Sequence, residues 1–268
     1  MTDTHRHEEH EHVVRRSFAR QVALFSGPDS PFAPRPESTL AWIEPLEPDM
    51  LVLDVACGAG HGAEPIAPHV RQVVGIDLTP ELLALGAERL RDNGITNVLL
   101  QEANAESLPF VDESFDLVFC RGSLHHFADP PQAVAEMVRT CRPGGRIVLS
   151  DVVAPNADVR DVYDGLHRRI DPSHVRAFLE RELAETLPGG IDGLTYANTT
   201  TFRFPIEVTF TEQTERDAIV AALEAEMRGD GPATGFEPAR EDGQLVVSFV
   251  SCVVHSRRPE ELSPIEPA

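Results

Sequence analysis

A glycine-rich turn directly after an apolar run is the first group of residues that could do chemistry. The run 51–55 is followed by three glycines, Gly58, Gly60 and Gly62. Glycine lets a backbone turn tightly and approach a ligand, and N–H groups at a helix start attract anions. With Ala63 the turn fits the GxGxxA dinucleotide pattern, and Asp77 lies where a ribose-binding carboxylate is expected. A nicotinamide-dependent dehydrogenase is therefore one interpretation.

Other polar residues follow the later strands. Asp54 immediately precedes the glycine turn, and the segment 104–106 follows the third predicted strand. His125 and His126 follow the fourth predicted strand, and Asp151 ends the fifth. Ligands of open α/β sheets bind at the carboxyl ends of the strands, so these residues are expected around one crevice.

Alternating apolar runs and amphipathic stretches must position these residues. Strands are predicted at 51–55, 73–76, 98–100, 115–120 and 147–149, and helices at 79–90 and 131–141. Continuous apolar runs of this length are typical of strands that are buried on both faces of a parallel sheet. The alternation predicts an α/β fold with a doubly wound, seven-stranded, mostly parallel sheet.

The second half of the chain changes its pattern. Two charged helices are predicted at 156–169 and 173–187. A strand at 200–210, a helix at 212–227 and a strand at 245–255 follow. The last two strands are expected to form an antiparallel pair at one edge of the sheet.

These patterns predict four segments. Residues 1–12 are expected to be a disordered tail, since alternating His and Glu offer nothing to bury. Residues 13–36 are expected to form an N-terminal helix and linker that act as a lid, with aromatic side chains that could close over the site: Phe18, Phe25 and Phe32. Residues 37–258 form the main domain with a helical cap at 152–195, and residues 259–268 form a second disordered tail.

Composition narrows the partners of this chain of 268 residues. Its net charge of −21 disfavours binding to nucleic acid or to anionic membranes, and none of its 23 basic residues is lysine. Two Tyr and one Trp offer few stacking platforms for exposed bases. Without an apolar run long enough to span a bilayer or a recognisable leader, the sequence predicts a cytoplasmic protein. The four cysteines lack CxxC spacing, and no metal site is predicted.

Five motifs occur in order, and together they resemble one enzyme family. They are Val52-Leu53-Asp54-Val55-Ala56-Cys57-Gly58-Ala59-Gly60, Val74-Gly75-Ile76-Asp77-Leu78, Asn104-Ala105-Glu106-Ser107-Leu108-Pro109-Phe110, Leu124-His125-His126-Phe127-Ala128-Asp129-Pro130 and Arg142-Pro143-Gly144-Gly145. The sequence resembles the class I S-adenosylmethionine-dependent methyltransferases, in particular the ubiquinone/menaquinone biosynthesis C-methyltransferases. The resemblance covers roughly residues 40–153. It implies a Rossmann-like methyltransferase fold and S-adenosyl-L-methionine as cofactor, with S-adenosyl-L-homocysteine as product.

The resemblance also implies roles for individual residues. The glycine turn would hold the methionine half of the cofactor, Asp77 would accept hydrogen bonds from both ribose hydroxyls, and Leu78 would cover the adenine. Asn104 stands where the family usually has Asp. Together with the backbone of Ala105 it would form hydrogen bonds with the edge of the adenine base. Arg121 is either near the methionine carboxylate or a surface arginine. The expected cofactor-binding set is Asp54, Ala56, Gly58, Gly60, Asp77, Leu78, Asn104, Ala105, Glu106 and Arg121.

The resemblance leaves the methyl acceptor open. In similar O-methyltransferases a His and an Asp at such positions form a catalytic base, which suggests His125 as base and Asp151 as the residue that orients it. The alternative is that the His-His-Phe segment only shapes the cofactor pocket.

The expected function is methyl transfer to an oxygen, carbon or nitrogen atom of a small-molecule metabolite. A cofactor-binding protein that is idle or catalyses another reaction is the alternative. The oligomeric state stays open, with a homodimer as one option.

Overall fold

One mixed sheet organises the computed structural model, which describes residues 3–26, 36–211 and 214–260. Within those residues its strands are β1 Leu51–Val55, β2 Gln72–Asp77, β3 Val98–Glu102, β4 Phe115–Arg121, β5 Cys141–Val153, β6 Leu194–Pro205, β7 Ala239–Glu241 and β8 Gln244–Arg257. The spatial order is β3-β2-β1-β4-β5-β8-β6, and the short β7 pairs with β8. The predicted doubly wound, mostly parallel sheet is confirmed, with β7 as an additional strand.

The sheet order creates the crevice in which a site can form. Strand β1 pairs in parallel with β2 on one side and with β4 on the other. The chain continues from β1 to β2 and β3 on one side and then returns to β4 on the other side. Strands β1 and β4 therefore flank a switch point in the strand order, where open α/β sheets bind their ligands. At the far edge β8 runs antiparallel to both β5 and β6, as predicted for the last two strands.

Helices cover the two faces of the sheet. Their bounds are α1 Asp3–Arg20, α2 Pro36–Ile43, α3 Ala63–Ile66, α4 Pro80–Asp92, α5 Pro130–Thr140, α6 Arg160–Ile170, α7 Glu180–Glu185 and α8 Arg216–Arg228. Neighbouring residues of β1 face opposite layers, since Val52 packs with Ile43 and Ile66 on one face while Leu53 packs with Met137 on the other. Both faces are therefore buried, which explains why the strand is apolar throughout.

The cap has a core of its own. Tyr163 and Ile170 of α6 pack with Leu223 of α8 and with Val247 and Phe249 of β8. The predicted cap at 152–195 is shorter than expected, because residues 152–153 belong to β5 and residues 194–195 to β6. Its second helix covers only Glu180–Glu185, since the segment 171–179 turns to place side chains inside the molecule.

The N-terminal segment corrects the prediction of a disordered tail at 1–12. Helix α1 begins at Asp3 and runs without a break to Arg20, and a short 3-10 helix follows at 22–25. Polar contacts hold it: His10 Nε2 lies 2.7 Å from the carbonyl oxygen of His126, and Ser17 donates a hydrogen bond of 2.7 Å to Asp171. Apolar periodicity does not reveal such contacts, because the partners lie far away in the sequence. Residues 1–2 and 261–268 lie outside the described residues.

Two further features bear on the sequence analysis. All four cysteines are buried free thiols, as the absence of CxxC spacing suggested. No helix among residues 3–26, 36–211 and 214–260 combines the length and the apolar character that a membrane crossing requires.

Candidate functional site

A cavity of about 940 Å³ opens at the carboxyl ends of the parallel strands. Helix α1, the cap and strands β6 and β8 close its other sides. Its volume is near the upper end of the roughly 300–1,000 Å³ of ligand pockets, so it offers room for a cofactor and a second molecule. Except for Gly60, all of the residues predicted for the site line this cavity: Asp54, Ala56, Gly58, Asp77, Leu78, Asn104, Ala105, Glu106, Arg121, His125 and Asp151.

The glycine turn owes its shape to backbone conformation. Ala56, Gly58 and Gly60 have φ angles of 56°, +54° and +74°, in the left-handed region that favours glycine. A Cβ at Gly58 would meet its neighbours no closer than 3.9 Å, so conformation rather than space requires this glycine. Gly60 faces Leu90 and Leu100 instead of the cavity, and its part is to bend the turn.

Asp77 ties this turn to the end of β2. Its Oδ2 accepts a hydrogen bond of 2.8 Å from the N–H of Gly58, and its Oδ1 accepts one of 2.8 Å from the N–H of Thr79. Each carboxylate oxygen can accept a second hydrogen bond, so the group can hold the turn and still receive hydroxyl donors. Burial raises the pKa of Asp77 above its ordinary value, and the donors from Thr79 and Gly58 counteract that rise.

Asp54 is a buried acid with one unsatisfied oxygen. The side chain is 2% exposed, and its Oδ2 has no hydrogen-bond partner among the described residues. Burial raises the pKa of Asp54 to about 8, Arg121 lowers it and Asp77 raises it further. A positively charged ligand group beside it would favour the ionised carboxylate. The site is therefore suited to a ligand that carries a cation.

The segment after β3 is bound to helix α1. Asn104 Oδ1 accepts a hydrogen bond of 2.8 Å from the N–H of Glu106, and Asn104 Nδ2 donates one of 2.7 Å to Glu11. The Glu106 carboxylate accepts a hydrogen bond from the N–H of Asp129. Arg15 donates to the carbonyl oxygen of Leu78 at 2.5 Å. Helix α1 therefore covers the end of the cavity that Leu78 and Asn104 form.

His125 and Asp151 meet at the opposite end of the cavity. The two atoms His125 Nδ1 and Asp151 Oδ1 lie 2.5 Å apart, and the backbone N–H of His125 donates to Asp151 Oδ2 at 3.1 Å. Both side chains are buried, and their strands β4 and β5 are paired neighbours. The predicted contact between these residues is confirmed. Because Asp151 occupies Nδ1, Nε2 is the nitrogen of His125 that remains for other partners.

Two of the three predicted lid aromatics contact the cavity. Phe18 meets the ring of His126 edge-on at 5.0 Å, and Phe25 lies parallel to His61 at 6.2 Å. Phe32 lies outside the described residues.

A polar network under α1 was not predicted. Asp171 accepts hydrogen bonds from Ser17, Gln21 and Ser173, and Ser173 Oγ lies 2.9 Å from His126 Nδ1. Burial raises the pKa of Asp171, but the neighbouring His126 and the donors from Ser173 and Gln21 outweigh burial and lower the pKa to about 2. Burial lowers the pKa of His126 to about 3, so this imidazole is neutral.

Sequence analysis also missed His167 and His174 in the cap. A signal was present, because His167 lies four residues after Tyr163 on the apolar face of α6, where a polar side chain needs a partner. His174 follows the turn after α6 and is 2% exposed. Both rings lie close to His125, with centroid distances of 5.6 and 5.5 Å.

Comparisons with known proteins agree with this geometry. Residues 53–149 match the family described as "Methyltransferase domain". The uncharacterised methyltransferase YcgJ of Bacillus subtilis is 43% identical over 126 residues, which are 47% of this chain and 50% of that protein. A ubiquinone/menaquinone biosynthesis C-methyltransferase UbiE of Shewanella piezotolerans is 38% identical over 122 residues, or 44% of this chain and 49% of that protein. The matched region thus spans about half the length of these curated relatives.

Solved structures extend the likeness to most of the chain. The crystal structure of YcgJ has a TM-score of 0.70 and 27% sequence identity, and covers 84% of this chain and 97% of its own. A candidate methyltransferase of Bacillus halodurans has a TM-score of 0.69 and 30% identity, and covers 83% of this chain and 98% of its own.

Proposed function

Because the chain belongs to the S-adenosylmethionine-dependent methyltransferases, we propose that it transfers a methyl group from S-adenosyl-L-methionine to a small molecule. One observation carries this proposal. A single cavity joins the glycine turn, Asp77 and Asn104 at one end to His125 and Asp151 at the other. A cofactor and an acceptor bound there would share one enclosed space, as an in-line displacement requires.

The cofactor end has the donors and acceptors that S-adenosylmethionine needs. The unsatisfied oxygen of Asp54 suits a cationic group, since the cofactor carries an ammonium and a sulfonium. When bound, the cofactor supplies an electrophilic methyl group on its positively charged sulfur. Arg121, which lines the cavity near Asp54, suits the methionine carboxylate.

The remaining cofactor residues take the roles that the resemblance gives them. Asp77 would receive the ribose hydroxyls on the lone pairs that Gly58 and Thr79 leave. Leu78 and the buried Ala105 would contact the adenine. Asn104 Oδ1, which accepts the N–H of Glu106, would accept a second hydrogen bond from the adenine amino group. Ala56, Gly58 and Gly60 shape the turn, and Glu106 holds the segment through Asn104 and Asp129.

The acceptor end supports removal of a proton from the nucleophile. Asp151 fixes the Nδ1 tautomer of His125 and thereby leaves Nε2 with a lone pair. We assign His125 as the base that accepts the acceptor's proton, and Asp151 as the positioning residue. Burial of both side chains excludes competing water.

The walls bound the class of the acceptor. Strands β6 and β8 contribute apolar side chains to the cavity: Phe202, Phe204 and Phe249. They lie in ring contact with one another, at centroid distances of 5.0–6.3 Å. The acceptor is therefore a molecule with a substantial apolar part and one oxygen, carbon or nitrogen nucleophile. The net charge of −21 disfavours nucleic acid in this position.

Two measurements test the proposed function. Calorimetry should show binding of S-adenosylmethionine and S-adenosylhomocysteine, with NADH as the control that should not bind. Incubation with methyl-labelled cofactor and a metabolite extract should then yield a labelled small molecule. Cofactor binding without any labelled product from a broad set of extracts would favour the idle or non-methylating alternative, and binding of NADH alone would overturn the proposal.

A further inference from the structure

Three buried histidines converge on one point between the cavity and the cap. His125 comes from the turn after β4, His167 from the last turn of α6, and His174 from the turn that follows α6. One ring nitrogen from each lies within 4.8 Å of the others. His125 and His167 line the cavity, whereas His174 stands behind them.

Two of these rings carry a buried nitrogen that lacks a partner. Nδ1 of His167 and Nδ1 of His174 are buried and have no hydrogen-bond partner among the described residues. Nε2 is the nitrogen that Asp151 leaves on His125. A buried polar atom without a partner is destabilising, so two of them on neighbouring rings indicate that something binds them.

Carboxylates set the tautomers of two of these rings. Asp164 accepts a hydrogen bond of 2.7 Å from His174 Nε2, which leaves Nδ1 with its lone pair. Asp151 does the same for His125 through Nδ1. Asp164 is fixed in turn by the N–H of Ala177 at 2.8 Å. A carboxylate behind a histidine in this way is the usual support of a metal ligand.

We propose that His125, His167 and His174 bind one divalent transition-metal ion, with Zn²⁺ as the reference ion. Imidazole nitrogen suits zinc, cobalt, nickel and iron, whereas Mg²⁺ and Ca²⁺ prefer oxygen. Three histidines with one open position are also a common zinc set. A histidine binds such an ion through the lone pair of its neutral imidazole ring.

The spacing allows an ion with small side-chain movements. Three nitrogens at most 4.8 Å apart lie within about 2.8 Å of a common point, while a Zn–N bond is about 2.1 Å long. Each nitrogen therefore has to move by about 0.7 Å at most. Rotation of the rings about their side-chain torsions supplies such movements.

The site has one consequence that rests on the proposed function. Because two of the three ligands, His125 and His167, line the cavity, the ion would lie at its wall. The Nε2 lone pair of His125 cannot hold an ion and a proton at once, so His125 would act as the base in the metal-free protein and metal loading should lower turnover. Metal binding is measured by titration and does not depend on methyl transfer. A protein that binds no metal and a protein that transfers no methyl group are therefore distinguishable results.

Cobalt and zinc titrations of the full chain test the proposal. Chelator-treated protein should bind one equivalent of Co²⁺ with the visible d–d bands of a tetrahedral site, and Zn²⁺ should displace it. His167→Asn and His174→Asn should each weaken binding by at least about 100-fold. The chain contains 11 histidines, so two controls are needed. His255→Asn removes a buried histidine of β8 whose Nε2 also lacks a partner, and a variant with Gln at His5, His7 and His12 removes histidines of α1.

The outcomes separate a built site from adventitious binding. Both controls should keep the stoichiometry and the spectrum of the wild type. Absence of stoichiometric binding in the wild type would overturn the proposal, as would binding that survives in His167→Asn and His174→Asn but disappears in the α1 variant. If the histidine variants fail to fold, Asp164→Asn decides, because it keeps all three ligands and should weaken binding by about 10- to 100-fold. Unchanged affinity in a folded Asp164→Asn would count against the site.

Discussion

The two ends of the cavity are built in different ways. The cofactor end consists mainly of backbone, with left-handed turn residues and N–H groups that point to Asp77. The acceptor end consists of side chains from β4, β5, α1 and the cap that meet over long sequence separations. The family match covers residues 53–149 and stops before Asp151 and the cap. The cofactor end therefore lies within the matched region, whereas the acceptor end joins His125 from that region to residues beyond it.

Buried acids show the same contrast. At the cofactor end Asp54 keeps an oxygen without a partner, and burial raises its pKa to about 8. At the acceptor end Asp171 receives hydrogen bonds from Ser17, Gln21 and Ser173, and its pKa is about 2. The cofactor end therefore leaves an oxygen of Asp54 without a partner until a ligand binds. At the acceptor end, hydrogen bonds within the protein stabilise the charge of Asp171.

The largest expected effect separates turnover from cofactor binding. His125→Ala should lower the turnover number by at least about 100-fold, because a general base typically contributes 10²–10⁴. Cofactor affinity should stay within a few-fold of the wild type, since His125 lies at the opposite end from Asp77. Steady-state turnover and calorimetric titration of the same preparation measure the two quantities.

The control for this variant is His69→Ala, which removes an exposed histidine after α3 and should change neither quantity. Loss of cofactor binding in His125→Ala would contradict the division into two ends. It would support the alternative in which His125 only shapes the cofactor pocket.

The complementary change acts on the cofactor end. Asp77→Ala removes the acceptor of the Gly58 and Thr79 N–H groups and the expected ribose partner. We expect the dissociation constant for S-adenosylmethionine to rise by about 100-fold, which corresponds to about 2.8 kcal/mol. Asp92→Ala, at the exposed end of α4, is the matched control and should bind normally. An unchanged affinity in Asp77→Ala would place the cofactor elsewhere.

The two buried acids should respond to pH in opposite directions. The folded protein keeps the Asp54 proton between about pH 4 and 8 while the unfolded chain loses it, so stability from this group falls as pH rises through that window. The pKa of Asp171 lies below its ordinary value, so its contribution is present above about pH 4 and is lost towards pH 2. Urea unfolding of the ligand-free protein should therefore show a free energy of unfolding that rises with pH from about 2 to 4 through Asp171. It should fall with pH from about 4 to 8 through Asp54.

Single substitutions isolate these slopes. Asp54→Asn should reduce the decrease in the free energy of unfolding towards pH 8. It should stabilise the ligand-free protein at that pH by about 1–3 kcal/mol. Asp171→Asn should destabilise it at pH 7 by a similar amount, since the donors Ser17 and Gln21 lose a charged partner. If both variants shifted stability in the same direction at pH 7–8, the contrast between the two ends would be wrong.

The smallest expected effect sharpens the view of the cap. The Tyr163 hydroxyl is buried and has no hydrogen-bond partner in the described part of the chain, while its ring stacks on Phe236 at 4.5 Å. Tyr163→Phe should therefore raise the free energy of unfolding by about 1 kcal/mol. Tyr196→Phe is the control, because Tyr196 is 37% exposed and its hydroxyl can reach water. A destabilised Tyr163→Phe would reveal that the hydroxyl has a partner.

Local patterns predicted one end well. The glycine turn, Asp77 and the parallel strand order follow from short motifs and apolar runs, because neighbouring residues determine them. The contact between His125 and Asp151 was also predicted, since the carboxyl ends of adjacent parallel strands meet. The start of helix α1 at Asp3 and the partners of Asp171 were missed because the stabilising contacts are polar and join residues 93 to 154 positions apart. His167 and His174 were missed because their convergence with His125 depends on how the cap packs against the sheet.

Helix α1 spans both ends, and this arrangement bears on how long the product stays bound. Through Glu11 it contacts Asn104, through Arg15 the carbonyl oxygen of Leu78, and through Ser17 the acid Asp171. A nucleoside seated against Leu78 and Asn104 has this helix over it, so departure of the spent cofactor requires several of these hydrogen bonds to break together. The dwell time of S-adenosylhomocysteine is then set by the rate at which α1 lifts. In the proposed reaction we expect α1 to lift once per catalytic cycle, so that its lifting rate is the upper limit on turnovers per second.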